Sequence, residues 1–239
     1  MPRFFIDRQP ENGMLLLRGE DAHHAGRVLR LRVGEALTLC DGAGTDFDCV
    51  VEQITPDEVL CRVQDSHPAR SEPRQHLSLF MALPKGDKMD FIVQKAVELG
   101  VRDIVPYLSK NCVSRPDKTD KKVERWRRIA AEAAKQCGRG YLPYVHSVVP
   151  VQQAVQQAVQ SETALFFYEN ETRTGLRDAL ADGVGGTVSL MVGPEGGFAP
   201  EEAEAAVRAG MQSVSLGTRI LRCETAPVAA LAAVLFAGG

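Results

Sequence analysis

Hydrophobic positions along the chain follow two rhythms, and the change comes near residue 70. Before it, apolar residues recur at every second position. Phe47, Cys49 and Val51 alternate with Asp46, Asp48 and Glu52, and Val59, Cys61 and Val63 alternate with Leu60, Arg62 and Gln64. Leu37 and Leu39 share one face of Ala36–Asp41. Such alternation belongs to antiparallel strands with one face on a core and the other in water. Asp41-Gly42-Ala43-Gly44 and Pro56-Asp57-Glu58 supply turn residues between them. A short helix over about Glu20–Leu31 precedes the strands, and residues 1–69 are expected to form a small β-barrel-like module.

Ser66–Arg74 is polar and carries two prolines, so it reads as a linker, centred on residues 70–75. From residue 76 to 239 the rhythm becomes strand, helix, strand, helix. Strands are expected at Leu77–Leu83, Asp103–Leu108, Ala164–Tyr168, Thr187–Val192 and Ser213–Leu216. Helices are expected at Lys88–Leu99, Lys121–Gln136, Val151–Gln160, Pro200–Ala209 and Thr225–Phe236. Continuous apolar strands alternating with helices predict an α/β domain around a parallel sheet covered on both faces. The last helix is apolar around its whole circumference and is expected to be buried, in the domain or in a subunit interface.

Composition changes this picture little: 44% hydrophobic and 25% charged residues are ordinary for a folded chain. The longest apolar run, Val228–Ala237, has ten residues, half of what a membrane span needs. The amino terminus lacks the apolar core of a secretory signal, and the six cysteines form no CxxC pair. A cytoplasmic protein without disulfides or zinc is the expectation. Charge is more informative. The net charge is −3, yet residues 110–140 hold ten basic and four acidic side chains. A cationic island in an acidic protein is either a solvated helix face or a contact for phosphate.

Two strand-to-helix passages stand out. Gly193-Pro194-Glu195-Gly196-Gly197-Phe198 follows the strand ending at Val192. It is neither a phosphate loop, lacking GxxxxGK[ST], nor a dinucleotide fingerprint, lacking GxGxxG. Glu195 stands where a phosphate cradle wants a lysine. An adenosine body with a positive centre, such as S-adenosylmethionine, suits this loop, and a side chain at Gly196 is expected to block it; a plain Gly-Pro turn with a solvated glutamate fits the same residues. In Leu216-Gly217-Thr218-Arg219-Ile220-Leu221-Arg222-Cys223-Glu224-Thr225-Ala226, Thr225 would cap a helix. Ile220 and Leu221 are large apolar residues for a loop and need something flat and apolar to cover.

Together GPEGGF at 193–198 and LGTRILRCETA at 216–226 closely resemble the SPOUT-class methyltransferases that act on N3 of a uridine in bacterial 16S rRNA. Lys85-Gly86-Asp87-Lys88-Met89-Asp90 with Gln94–Val101 resembles that family's first helix. Arg125–Arg128 with Glu132–Arg139 resembles its basic segment, and His23-His24, Val28-Leu29-Arg30 and Asp41–Gly44 its amino-terminal PUA-like barrel. Cys223 departs from the threonine more usual there. The resemblance implies a carboxyl-terminal trefoil knot, a homodimer, S-adenosylmethionine without metal as cofactor, and 16S rRNA or the assembled small subunit as partner. An RNA-binding assembly factor without catalysis is the alternative.

By the same resemblance, Gly193, Glu195, Gly196, Gly197, Leu216, Gly217, Ile220, Leu221, Thr225 and Ala226 are candidates to bind the cofactor. Neutral uridine N3 carries a proton and is a poor nucleophile, so either a base removes the proton or cations stabilise the uracil anion. Arg139 and Arg222 are candidates for the cations and Glu224 for the base; each has an equally plain structural use. Arg3, Arg27, Arg30, Lys85, Lys88, Lys121, Arg125, Arg128 and Lys135 are candidates to meet RNA, with Lys121–Arg125–Arg128–Lys135 as a phosphate track on one helix face. Adjacent helical residues such as His23 and His24 diverge by about 100° and are poorly placed to share a metal. Cys137 has cationic neighbours but no recognisable base.

Overall fold

The computed structural model describes residues 1–113 and 119–238. They form two compact units. The smaller comprises residues 1–72 with 134–142, and the larger takes the remaining described residues.

In the smaller unit the order is β1 (Arg3–Phe5), β2 (Met14–Arg18), α1 (Gly19–His23), β3 (Ala36–Cys40), β4 (Thr45–Ile54) and β5 (Glu58–Pro68). The sheet runs β1-β3-β4-β5-β2. β1 lies parallel to β3, and the other pairs are antiparallel. Leu37, Leu39, Val59 and Cys61, on the apolar side of the alternation, are fully buried in its core. The expected helix at 20–31 is instead one α-turn followed by a π-helical turn, His24–Val28, which Arg30 leaves in a left-handed conformation with φ 54°. The stretch read as linker begins inside β5, where His67 pairs with Asp46. Its polar side chains are those of an exposed strand, which composition alone does not separate from a linker.

Residues 134–142 complete this unit. Gly140 O accepts hydrogen bonds from Gly44 N at 3.1 Å and Cys40 Sγ at 2.9 Å. Arg139 is buried, and its Nη2 lies 2.8 Å from Glu72 Oε2 while Nε donates to Glu72 Oε1 at 2.9 Å. Gly140 N and Tyr141 N donate to the same carboxylate. Burial alone would push the Glu72 carboxyl up, but the Arg139 guanidinium and these amides hold it below the usual range.

The larger unit contains β6 (His76–Ala82), α2 (Lys88–Glu98), β7 (Asp103–Leu108), α3 (Asp120–Cys137), β8 (Tyr144–Val145), β9 (Val149–Pro150) and α4 (Val151–Ala158). It continues through β10 (Thr163–Phe167), α5 (Leu176–Ala179), β11 (Thr187–Val192), α6 (Pro200–Ala209), β12 (Gln212–Val214) and α7 (Thr225–Gly238). The last residues of α3 count with the smaller unit. All strand pairs here are parallel, in the order β12-β10-β11-β6-β7-β8, with β9 also on β7. Leu77, Leu79, Ile104, Leu165, Val188 and Leu190 are fully buried, as expected of a sheet covered on both faces. α6 opens with Pro200, whose missing N–H is not needed in a first turn, and Glu202 accepts Ala199 N at 3.0 Å.

Burial of α7 is one-sided. Pro227, Ala230, Leu231 and Val234 are covered, whereas Ala232, Ala233 and Phe236 are exposed, Phe236 at 93%. No helix among the described residues is long and apolar enough to cross a membrane.

Candidate functional site

Open parallel sheets bind ligands beyond the carboxyl ends of their strands, where successive loops diverge. In the larger unit β12, β10 and β11 are neighbours, and the segments leaving their carboxyl ends enclose a cleft of about 590 Å³. That volume suits a molecule of nucleoside size. Phe167, Tyr168 and Glu169 contribute from the end of β10, Val192–Gly197 from β11, and Val214–Cys223 from β12. Lys88, at the start of α2, and Ala226 complete the wall.

Two strings separated by seventeen residues in the chain thus form one site. Of the residues assigned to the cofactor, Gly193, Glu195, Gly196, Gly197, Leu216, Gly217, Ile220, Leu221 and Ala226 line the cleft. Thr225 does not; it is the first residue of α7, and Glu224 occupies the cap position before it. Arg222 lines the cleft and is exposed, while Glu224 is joined to it through Lys88, whose Nζ lies 3.3 Å from Glu224 Oε2. Arg139 belongs to the smaller unit.

The loop after β11 is shaped by contacts the sequence did not announce. Gly197 has φ +64°, and a Cβ there would collide with the Glu169 carboxylate. Glu169 Oε1 accepts Phe198 N at 3.0 Å, and Asn111 Nδ2 donates to Gly196 O at 3.1 Å and Gly197 O at 3.3 Å. A Cβ at Gly196 would meet Asn111 Cβ at 3.1 Å and its carbonyl oxygen at 3.3 Å. A side chain at Gly196 would therefore press on Asn111 as well as facing the cleft, so a valine there acts on the loop's support in addition to any ligand. Tyr107, wholly buried, donates its hydroxyl to Val192 O at 2.8 Å and anchors the strand end from which the loop leaves. Burial pushes that phenol well above its usual value, so it stays a donor.

The charged groups of the cleft wall are Lys88, Arg219 and Arg222 with Glu169 and Glu195, and Glu224 adjoins them through Lys88. Lys88 Nζ lies 2.8 Å from Glu195 Oε1, and Lys85 N donates to both Glu195 oxygens at 3.1 and 3.3 Å. The hydrogen bond to Glu195 is the main reason the Lys88 ammonium is held above its ordinary range. Burial opposes ionisation of Glu195, but Lys88 and the backbone donors win and its pKa is lowered. Glu224 is lowered chiefly by its own backbone N–H. Cys223, buried beside it, is pushed up to about 12 by desolvation and then by the hydrogen bond to Glu224, so its thiol stays protonated.

The remaining candidates divide by pairing. Arg3 is tied to the buried Asp46, Arg125 to Asp90 and Lys135 to Asp21 at 2.7 Å. Arg27, Arg30, Lys85, Lys121 and Arg128 are exposed. The expected phosphate track therefore has two of its four cations in ion pairs. Lys88 and Glu169 are among the cleft residues that sequence reasoning did not place there, and Asn111 braces the loop from outside the cleft wall. Glu169 had a usable signal, since it follows the end of an expected parallel strand; Asn111 had none.

The chain matches two family models, an RNA methyltransferase domain over residues 70–235 and an RNA methyltransferase PUA domain over residues 17–64. It also aligns over 99% of its length with a ribosomal RNA small subunit methyltransferase E of Bacillus subtilis, at 32% identity and 96% coverage of that protein. The chain belongs to the ribosomal RNA small subunit methyltransferase E family. Two solved structures are similar to it throughout. A member of the family from Neisseria gonorrhoeae, bound to S-adenosyl methionine, has a TM-score of 0.89 at 34% identity, covering 100% of this chain and 98% of that one. A methyltransferase of Legionella pneumophila with bound SAM has a TM-score of 0.86 at 33% identity, covering 99% and 98%. The family's cofactor suits the cleft on its own chemistry. Apolar Ile220 and Leu221 can flank a flat ring, glycine backbone lies open to close approach, and acidic side chains tolerate a sulfonium.

Proposed function

We infer that this chain is an S-adenosylmethionine-dependent methyltransferase acting on ribosomal RNA. The observation that carries the inference is the cleft at the carboxyl ends of β12, β10 and β11, built from both signature loops, in a chain whose full-length relatives bind that cofactor. The cofactor supplies an activated methyl group with a good leaving group, so the protein's work is alignment and the handling of one proton.

The finer reading is methylation of N3 of a uridine in 16S rRNA. Attack by N3 requires loss of its proton. Glu224 is our candidate base, but a carboxylate held below its usual range is a weak one. The larger contribution then falls to a cation that stabilises charge on the flanking carbonyl oxygens, and exposed Arg222 in the cleft wall is the candidate. Arg139 can share this task only if its pair with Glu72 opens; kept closed, it acts on the smaller unit's framework. Arg27, Arg30, Lys85, Lys121 and Arg128 are proposed phosphate contacts, with Arg3, Lys88, Arg125 and Lys135 available where RNA displaces an internal partner. The open apolar face of α7 supports a homodimer, and the two loops a trefoil-knotted passage between residues 193 and 226. A cytoplasmic location follows from an rRNA substrate.

Calorimetry with S-adenosylmethionine and mass spectrometry of rRNA nucleosides from cells lacking the protein test this reading together. Binding and loss of 3-methyluridine are expected. RNA binding without cofactor binding would favour the assembly-factor alternative, and cofactor binding with 3-methyluridine unchanged would refute the N3 assignment.

A further inference from the structure

We propose that Lys88 is a positioning residue that clamps the two cleft loops together by bridging Glu195 on one and Glu224 on the other. The proposal rests on the reading of the cleft as a cofactor site. Among the described residues, its Nζ meets Glu195 Oε1 at 2.8 Å, Glu224 Oε2 at 3.3 Å and Cys223 Sγ at 3.7 Å. Those three groups come from segments nearly thirty positions apart that share no hydrogen bond along a strand. Lys88 itself stands at the first position of α2, on a third segment.

The arrangement has a charge logic. Glu195 and Glu224 are both within reach of one ammonium and repel each other without it. Glu195 is further held by the backbone of Lys85, so it stays in place whatever happens to Lys88. Glu224 shares its other contact with the neutral Cys223 thiol, Sγ to Oε2 at 3.2 Å, and has more freedom to leave. Loss of the ammonium therefore moves the loop after β12, which carries Ile220 and Leu221, and spares the loop after β11. Lys88 would act on the cofactor through Glu195 and Glu224, without touching the reacting atoms.

Measure S-adenosylmethionine affinity by calorimetry on the full chain, without RNA, for wild type, Lys88→Met, Lys88→Arg and Lys88→Met/Glu224→Gln. We expect the dissociation constant of Lys88→Met to rise about tenfold or more, with a melting temperature close to wild type. Lys88→Arg should restore most of the affinity, and adding Glu224→Gln should recover part by removing the repulsion. The affinity of Lys88→Met should also improve as pH falls from 7 toward 5, when one unpaired carboxylate takes up a proton; the wild-type pair, held ionised by the ammonium, should stay flat over that range. Should Lys88→Met fail to fold, Glu224→Gln alone removes one arm of the clamp and should weaken binding by a smaller factor. Wild-type protein that binds no cofactor overturns the cofactor reading itself. Wild-type binding with Lys88→Met and Glu224→Gln both unchanged overturns the clamp alone; in that event reduced RNA affinity of Lys88→Met would make Lys88 a phosphate contact.

Discussion

The two loops that form the cleft are held in opposite ways. The loop after β11 is fastened along its length: Asn111 to two carbonyls, Glu169 to Phe198 N, Lys85 and Lys88 to Glu195. Phe198 is buried with its ring centroid 4.3 Å from that of Phe166. The loop after β12 is fastened mainly near its ends. Ser215 and Gly217 bond each other at 3.2 and 3.3 Å, Cys223 and Glu224 meet Lys88, and between them Ile220 is 87% exposed. One wall is thus built before any ligand arrives, and the other has apolar surface still to bury. A preformed wall lowers the ordering cost of binding, while the open one gains most from it.

Substitutions break this contrast unequally. The largest effect is expected from Gly197→Ala, because φ +64° strains any side chain there and the added carbon must also push the Glu169 carboxylate off Phe198 N. We expect a stability loss of about 2 kcal/mol or more in denaturant melts, together with loss of cofactor binding. Pairing it with Glu169→Ala should return part of that loss, since the obstructing carboxylate is gone; equal melts for single and double variants would remove Glu169 as the cause.

Ile220→Ser should leave the melt unchanged and weaken cofactor affinity by roughly tenfold, as expected for an isoleucine buried only in the complex. A shifted melt with normal affinity would mean that Ile220 supports the free protein instead. Gly217→Ala comes next. Its φ is +107°, yet no atom lies within 4 Å of the new carbon, so strain alone acts and about 1 kcal/mol is expected from melts.

The smallest effect is the pH dependence. The Glu195 pKa is lower in the folded chain than the ordinary value of about 4.3. Its contribution to stability is therefore complete above that value and is lost as pH falls through the folded pKa. Glu195→Gln should flatten the acid limb of stability between about pH 5 and 3. An unchanged limb would assign the acid sensitivity to other depressed carboxylates, among them Glu72 and Asp103.

Much of the architecture was legible in the chain, because local patterning encodes it. Alternation over 46–54 and 59–65 specifies strands with one buried face, and the apolar runs at 103–108 and 187–192 specify buried parallel strands. Both signature loops could be placed at strand ends from periodicity and glycine content alone. Short strands escaped this reading: β1 has three residues, too few to show a period, β8 and β9 have two each, and β2, with five, is the unbroken apolar run Met14–Leu17 followed by Arg18, which shows no alternation.

Sequence by itself therefore determined most of the longer elements, the parallel character of the larger sheet and the identity of the two cleft loops. Tertiary structure alone decided what each charged side chain does. Arg139 reads from the chain as the end of a basic segment, but the smaller unit buries it against Glu72, 67 positions away. Lys88 reads as one more surface cation and becomes the partner of Glu195 and Glu224, and Glu169 fills the space beside Gly197 and holds Phe198 N. The physical cause is the order of the strands. Hydrophobic period records which face of a strand is buried and carries no information on its neighbour, so the meeting of residues 88, 169, 195 and 224 exists only once β12, β10, β11 and β6 lie side by side.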